Sequence, residues 1–150
     1  MQTQLDQIEA AIPYGDHSNV EVSKASVAWH LDHMLKTINK IVMALEKSDP
    51  NNFKSSFNFM RSVILTIGKI PRGKAKAPKV VHPPENILTE DLYKQLQIAR
   101  EKVAQIEQLD KNQHFEHPFF GMLNRKNTKK FIEIHTKHHL AIVHDILKKE

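Results

Sequence analysis

The chain has 150 residues, 40% of them hydrophobic, a net charge of +5 at pH 7 and no cysteine. This length and composition suit one domain with one core over residues 1–150, and they exclude disulfide scaffolds and thiol chemistry by the protein's own side chains. No run approaches the ~18 apolar residues of a membrane span, and the polar stretch Met1 to Ala11 is no secretory signal, so a cytoplasmic protein without a membrane partner is expected.

In chain order, Leu5, Ile8 and Ile12 mark a short amphipathic helix at the start. From about Val22 to Lys47, the residues Val27, Leu31, Met34, Ile38, Ile41 and Leu45 recur at spacings of four and three, the pattern of a bundle seam. Asp49-Pro50 ends that helix and opens a second, with Asp49 as N-cap and Pro50 at the first helical position. The second seam is Phe53, Phe57, Met60, Ile64 and Ile67, and Gly68 and Pro71 stop it. The stretch from about Lys69 to Leu88 holds four prolines and reads as a crossover between bundle halves. Its cations Lys69, Arg72, Lys74, Lys76 and Lys79 have no acid between them. A solvated loop is expected there rather than a phosphate-binding element, and nucleic acid is not an expected partner, because neither interleaved aromatics nor a recognition motif accompanies them.

Thr89 is the expected cap of the third helix, with Glu90 and Asp91 favourable in its first turn and Leu92, Leu96, Ala99, Val103 and Ile106 as its seam. Asp110 to Leu123 reads as irregular, and the last helix runs from about Asn127 to Lys149. No segment shows sustained strand alternation. The expected class is all-α, a four-helix bundle with a long crossover loop.

Ten histidines are many for this length, so their positions matter. At about 100° per residue, Phe131, Ile132, Ile142, Val143 and Ile146 define the apolar face of the last helix. His135 and His139 fall in the middle of that face, His138 towards its edge and His144 well away. Histidines four apart stack one turn above the other, so both imidazoles can reach one cation. Two buried, hydrogen-bonded neutral rings are the other reading of the pair. On the first long helix, His30 lies about 60° from the seam centre and His33 about 120°. His30 therefore borders the core, while His33 is expected to be more exposed. A histidine from a facing helix would complete a three-nitrogen site with an open position for water or substrate. His33, His138 and His144 are not expected as primary ligands.

Ser23-Lys-Ala-Ser-Val-Ala-Trp29-His30-Leu31 resembles the first motif of the DinB-like superfamily, a Ser or Thr entering a helix with a His seven residues on. His135-Thr-Lys-His138-His139-Leu140 resembles its second, His-x3-His on the last helix. The run His117-Pro-Phe-Phe-Gly-Met-Leu123 is similar to one branch, patterned roughly His-Pro-x-Phe-Gly-x-Leu. The resemblance covers most of the chain in order and spacing. It implies a DinB-like four-helix bundle and a divalent metal cation, zinc or nickel, held by His30, His135 and His139. It also implies a small-molecule ligand such as a low-molecular-weight thiol, which the metal would hold as a thiolate in a transferase reaction. A metal-dependent hydrolase and a non-catalytic metal- or ligand-binding stress-response protein are the alternatives, and a homodimer is the assembly left open. Two departures weaken substrate analogies. Thr128 stands where the branch has a Trp, and Ala141-Ile142-Val143 stands where it has Arg-Gln-Phe.

Overall fold

The computed structural model describes residues 1–73, 84 and 86–148. Among these residues the chain is mostly helical, with five α-helices and one small two-stranded sheet. In order they are α1 (Gln2–Ala11), α2 (Val27–Lys47), α3 (Phe59–Ile67), α4 (Thr89–Gln105), β1 (His114–His117), β2 (Gly121–Asn124) and α5 (Arg125–Lys148).

Helix α2 is the centre of the molecule. Ser26 caps it, accepting a hydrogen bond from the Trp29 amide at 3.3 Å. It packs along both α4 and α5, and it also touches α1 and β1. Because neighbours surround it, burial runs almost around the helix. His30, Leu31, Asp32, His33, Met34 and Leu35 are six consecutive buried residues. Asp32 is satisfied there by the Lys36 ammonium at 2.6 Å and the Gln95 amide at 2.7 Å.

The expected N-terminal helix forms and belongs to the core. Leu5 and Ile8 are fully buried, and α1 packs against α4 and α5. Helix α4 carries Glu90 and Asp91 in its first turn and Lys102 in its last, charges that suit the helix dipole. Its cap position is Leu88 rather than Thr89, which is the first helical residue.

The second expected helix is much shorter than its apolar spacing predicts. Asp49 does cap a turn, accepting from the Asn51 amide at 2.9 Å, but that turn is a 3-10 element of only three residues, Pro50–Asn52. Residues 53–58 then run without helix, and α3 starts after the Asn58 cap. The segment and the start of α3 are tied to the sheet instead. The Asn58 side-chain amide donates to the Phe119 carbonyl at 2.9 Å. The Arg61 guanidinium donates to the carbonyls of Phe120 and Met122, each at 3.1 Å, and to that of Ser56. Phe57, Met60 and Ile67 of the expected seam are consequently exposed. Gly68 closes α3 in the left-handed conformation, φ +70°, as the sequence predicts.

The sheet departs from an all-α class. Residues read as irregular form an antiparallel hairpin, pairing His114 with Asn124 and His117 with Gly121. Pro118, Phe119 and Phe120 make its turn, and Gly121 leaves the turn at φ +66°, which disfavours any side chain. Asn124 then caps α5 by accepting from the Asn127 amide at 3.0 Å. The buried Thr128 hydroxyl donates to the Leu123 carbonyl at 2.8 Å. This junction sets the start of α5, and with it the height of its histidines. Of the basic stretch, Arg72 pairs with Asp145 at 2.8 Å, while Lys74, Lys76 and Lys79 and most of the crossover lie outside the described residues.

Candidate metal centre

Four imidazoles meet between α2 and α5. His30 and His33, three apart on α2, are 4% and 3% exposed. His135 and His139, four apart on α5, are partly buried opposite them. His33, His135 and His139 each offer a ring nitrogen within 4.8 Å of the other two. Nε2 of His33 lies 3.2 Å from Nε2 of His135. The rings of His33 and His139 are 4.7 Å apart between centroids, and those of His135 and His139 4.6 Å.

The structure brings His135 and His139 together, with ring centroids 4.6 Å apart. His30 reaches the same cluster from its edge. Its Nδ1 lies 3.0 Å from Nδ1 of His139, and its Nε2 lies 3.0 Å from the Ser23 hydroxyl. The expectation that His33 is the more exposed residue is corrected. A position about 120° from a helix's main seam is exposed only if nothing packs on that flank. Here α5 packs on it. The signal that could have found His33 is in the sequence, since His30 and His33 are neighbours on one helical face.

Aromatic rings wall the cluster. Trp29 stacks on His33 at 5.1 Å, with 19° between the planes. Phe131 lies 5.8 Å from His135, and His117 lies 4.8 Å from Phe131 and stacks on Phe120 at 4.3 Å. Nδ1 of His117 accepts from the Phe119 and Phe120 amides at 3.1 and 3.3 Å, so that nitrogen is committed to the hairpin turn. His138 lies against His139, with centroids 5.1 Å apart, and His144 is exposed.

This surrounding disfavours charge on the rings. Burial, then the neighbouring His33, His138 and Arg72, lowers the pKa of His30 from 6.5 to about 4. Burial, then His33, His138 and His117, lowers that of His135 to about 3. His139 is pushed lower still, first by burial and then by the surrounding histidines. Burial also holds His138 below the usual histidine value, and His117 at about 4. His30, His135 and His139 are therefore neutral at pH 7, the form in which imidazole binds a metal. Nδ1 of His135 is buried with no hydrogen-bond partner, while its Nε2 is the nitrogen that faces His33.

The two carboxylates nearest in sequence face elsewhere. Asp32 is held by Lys36 and Gln95, and Glu133 lies 3.6 Å from the N-terminal ammonium. A cavity of about 600 Å³ lies between α1 and α5, lined by Tyr14, Lys137, Leu140 and His144 among others, and shares no residue with the cluster. No helix among the described residues is long and apolar enough to cross a membrane.

No curated protein and no solved structure matches the chain. A family model does, over residues 16–145, a span that takes in Ser23 and all four clustered histidines. On that extent of match, the chain belongs to the family described as "Protein of unknown function (DUF1569)".

Proposed function

We propose that the chain is a metal-dependent protein of the DinB-like type. In this reading α1, α2, α4 and α5 are the four-helix bundle, and α2 and α5 hold a divalent cation, zinc or nickel, through His33, His135 and His139. The observation that carries the reading is the convergence of three ring nitrogens within 4.8 Å. Two imidazoles bound to one tetrahedral ion at about 2.0–2.1 Å have nitrogens about 3.3 Å apart. The 3.2 Å between His33 and His135 is close to that spacing.

The ligand set expected from the sequence has His30 in place of His33 and shares the other two members. His33 is favoured here because its nitrogen joins those of His135 and His139, whereas both nitrogens of His30 already meet other groups. A cation held by three neutral imidazoles keeps positions open and lowers the pKa of a thiol or water that it takes up. What the chain's own residues do is hold the three rings, keep His135 and His139 unprotonated and wall the site with Trp29 and Phe131.

A low-molecular-weight thiol is the proposed co-substrate, in a transferase reaction. Hydrolysis calls for a general base within hydrogen-bond reach of the attacking water. Asp32 and Glu133 are committed to other partners, which favours the thiol. The test is metal analysis of protein purified without an affinity tag, followed by titration of Co(II)-loaded protein with glutathione. One metal per chain and a new sulfur-to-cobalt absorption band support the proposal. Metal uptake with no spectral response to glutathione overturns the thiol and leaves only the metal-binding part of the reading, and no uptake ends the reading.

A further inference from the structure

His30 is almost as buried as any residue in the cluster, yet the proposed ligand set does not use it. Its contacts suggest another role. Nε2 lies 3.0 Å from the Ser23 hydroxyl, and Nδ1 lies 3.0 Å from Nδ1 of His139. Ser23 is itself placed by backbone, because its hydroxyl oxygen accepts from the Ala25 amide at 3.1 Å, in the turn leading to the Ser26 cap.

A neutral imidazole has one N–H and one lone pair. Two nitrogens 3.0 Å apart therefore share one proton, and the chain Ser23–His30–His139 has two self-consistent directions. In one, the serine donates to His30, His30 donates to His139, and the remaining proton of His139 sits on Nε2. In the other, His139 donates from Nδ1 to His30, and His30 donates from Nε2 to the serine. The hydroxyl oxygen has two lone pairs and can accept from both Ala25 and His30. Only this second direction leaves a lone pair on Nε2 of His139, the nitrogen that His30 does not occupy.

Resting on the metal reading above, we infer that Ser23 and His30 are positioning residues that hold His139 with its proton on Nδ1 and its Nε2 lone pair turned to the cation. Metal-bound histidines commonly donate their second ring nitrogen to an oriented acceptor, and loss of such an acceptor costs 10–100-fold in metal affinity. Here a second histidine is that acceptor, and the serine accepts in turn from its other ring nitrogen. The arrangement adds no negative charge beside the site, unlike a carboxylate acceptor.

The test uses the full chain. Long-range 1H–15N spectra of metal-free protein should show His139 protonated on Nδ1 and bare on Nε2. Zinc affinity, measured by competition with a chromophoric chelator, should fall roughly 10–100-fold in Ser23→Ala and in His30→Leu, at unchanged stoichiometry. His30→Gln should recover most of that loss, because its carbonyl can accept from His139 while its amide donates to Ser23. Ser23→Ala removes only a hydroxyl, so it keeps the experiment decisive if His30→Leu does not fold. A proton on Nε2 of His139 overturns the inference, as does His30→Leu with no zinc at all, which would make His30 a ligand. Wild-type protein that takes up no zinc overturns the metal centre itself. Uptake that Ser23→Ala and His30→Leu leave unchanged overturns only the positioning chain.

Discussion

His33 and His135 face each other nitrogen to nitrogen, Nε2 to Nε2 at 3.2 Å, across the packing of α2 on α5. Neither helix can present this arrangement alone. The pair on α5 comes from i, i+4 spacing, but the nitrogen opposite it depends on the rotation of α2 about its own axis. That rotation is fixed by the apolar residues on the flanks of α2, chiefly Leu31, Met34, Leu35 and Ile38, all fully buried. The site is thus positioned by the core.

Ligand identity separates the clustered histidines from their neighbours. Alanine at His33, His135 or His139 is expected to abolish stoichiometric zinc or nickel uptake. Alanine at His138 or His144 should leave one metal per chain, because His138 lies beside the cluster and His144 is exposed. Isothermal titration on the five variants checks this. Retained binding in His33→Ala with loss in His30→Ala would return the third position to His30.

The lowered histidine pKa values give the metal-free protein an acid-sensitive stability. Between about 6.5 and the folded values of about 4 for His30 and about 3 for His135, the unfolded chain binds protons that the folded chain does not. Stability therefore rises with pH in that window, and the contribution is fully present above about 6.5. It is lost as the pH falls towards the folded values and levels off below them. One such group contributes ~1.4 kcal/mol per pH unit within its window. Urea midpoints should drop between about pH 7 and about pH 5, and drop less in a His135→Leu/His139→Leu variant. Equal slopes for the two proteins would show that these rings are not held neutral by folding.

Periodicity made α2, α4 and α5 legible, because each is long and carries an apolar stripe repeated over several turns. The stretch from Phe53 to Ile67 misleads for a physical reason. Its apolar spacing is helical, but Phe57 is 84% exposed, and the Asn58 and Arg61 side chains bond to the hairpin backbone. The hairpin itself has strands of only four residues, too short for alternation to register, and its register rests on tertiary contacts. His135 and His139 were legible because they interrupt an apolar stripe. His33 was not, because a helical wheel assumes one packed side and α2 is packed on several.

Thr128 is fully buried, and its hydroxyl closes the junction between β2 and α5. Thr128→Val keeps the shape and removes the donor to the Leu123 carbonyl. The residue is fully buried, so that carbonyl loses a hydrogen bond that water cannot readily replace. A loss of about 1–3 kcal/mol in unfolding free energy is expected. Exposed Phe57→Ser should change stability by no more than about 0.5 kcal/mol. Chemical denaturation of both variants decides the comparison, and equal effects would contradict the burial assigned to the junction.

Metal should stabilise this fold without being required for it. The core joins α1, α2, α4 and α5 through fully buried side chains such as Leu5, Leu31, Leu45, Leu96 and Ile146, each at most 3% exposed. Burying such a side chain stabilises by about 1.5–3 kcal/mol, so the helices are expected to close without a cation. This differs from a small zinc-dependent module, whose folding free energy is its metal-binding free energy. A ligand that binds only the folded state still adds RT ln(1 + [L]/Kd), about 2.7 kcal/mol at one hundred times Kd. For a chain of this size that raises Tm by roughly 5–10 °C. Chelation should reverse the shift and leave the room-temperature helical signal nearly unchanged. The His135→Leu/His139→Leu variant should take up no metal and fold at least as well as the metal-free wild type. It removes the unpartnered Nδ1 of His135 and two rings that burial keeps uncharged. Circular dichroism melts of the two proteins, with and without zinc, provide the measurement. A double variant unfolded at room temperature would make the histidines structural and remove the main support for a catalytic site.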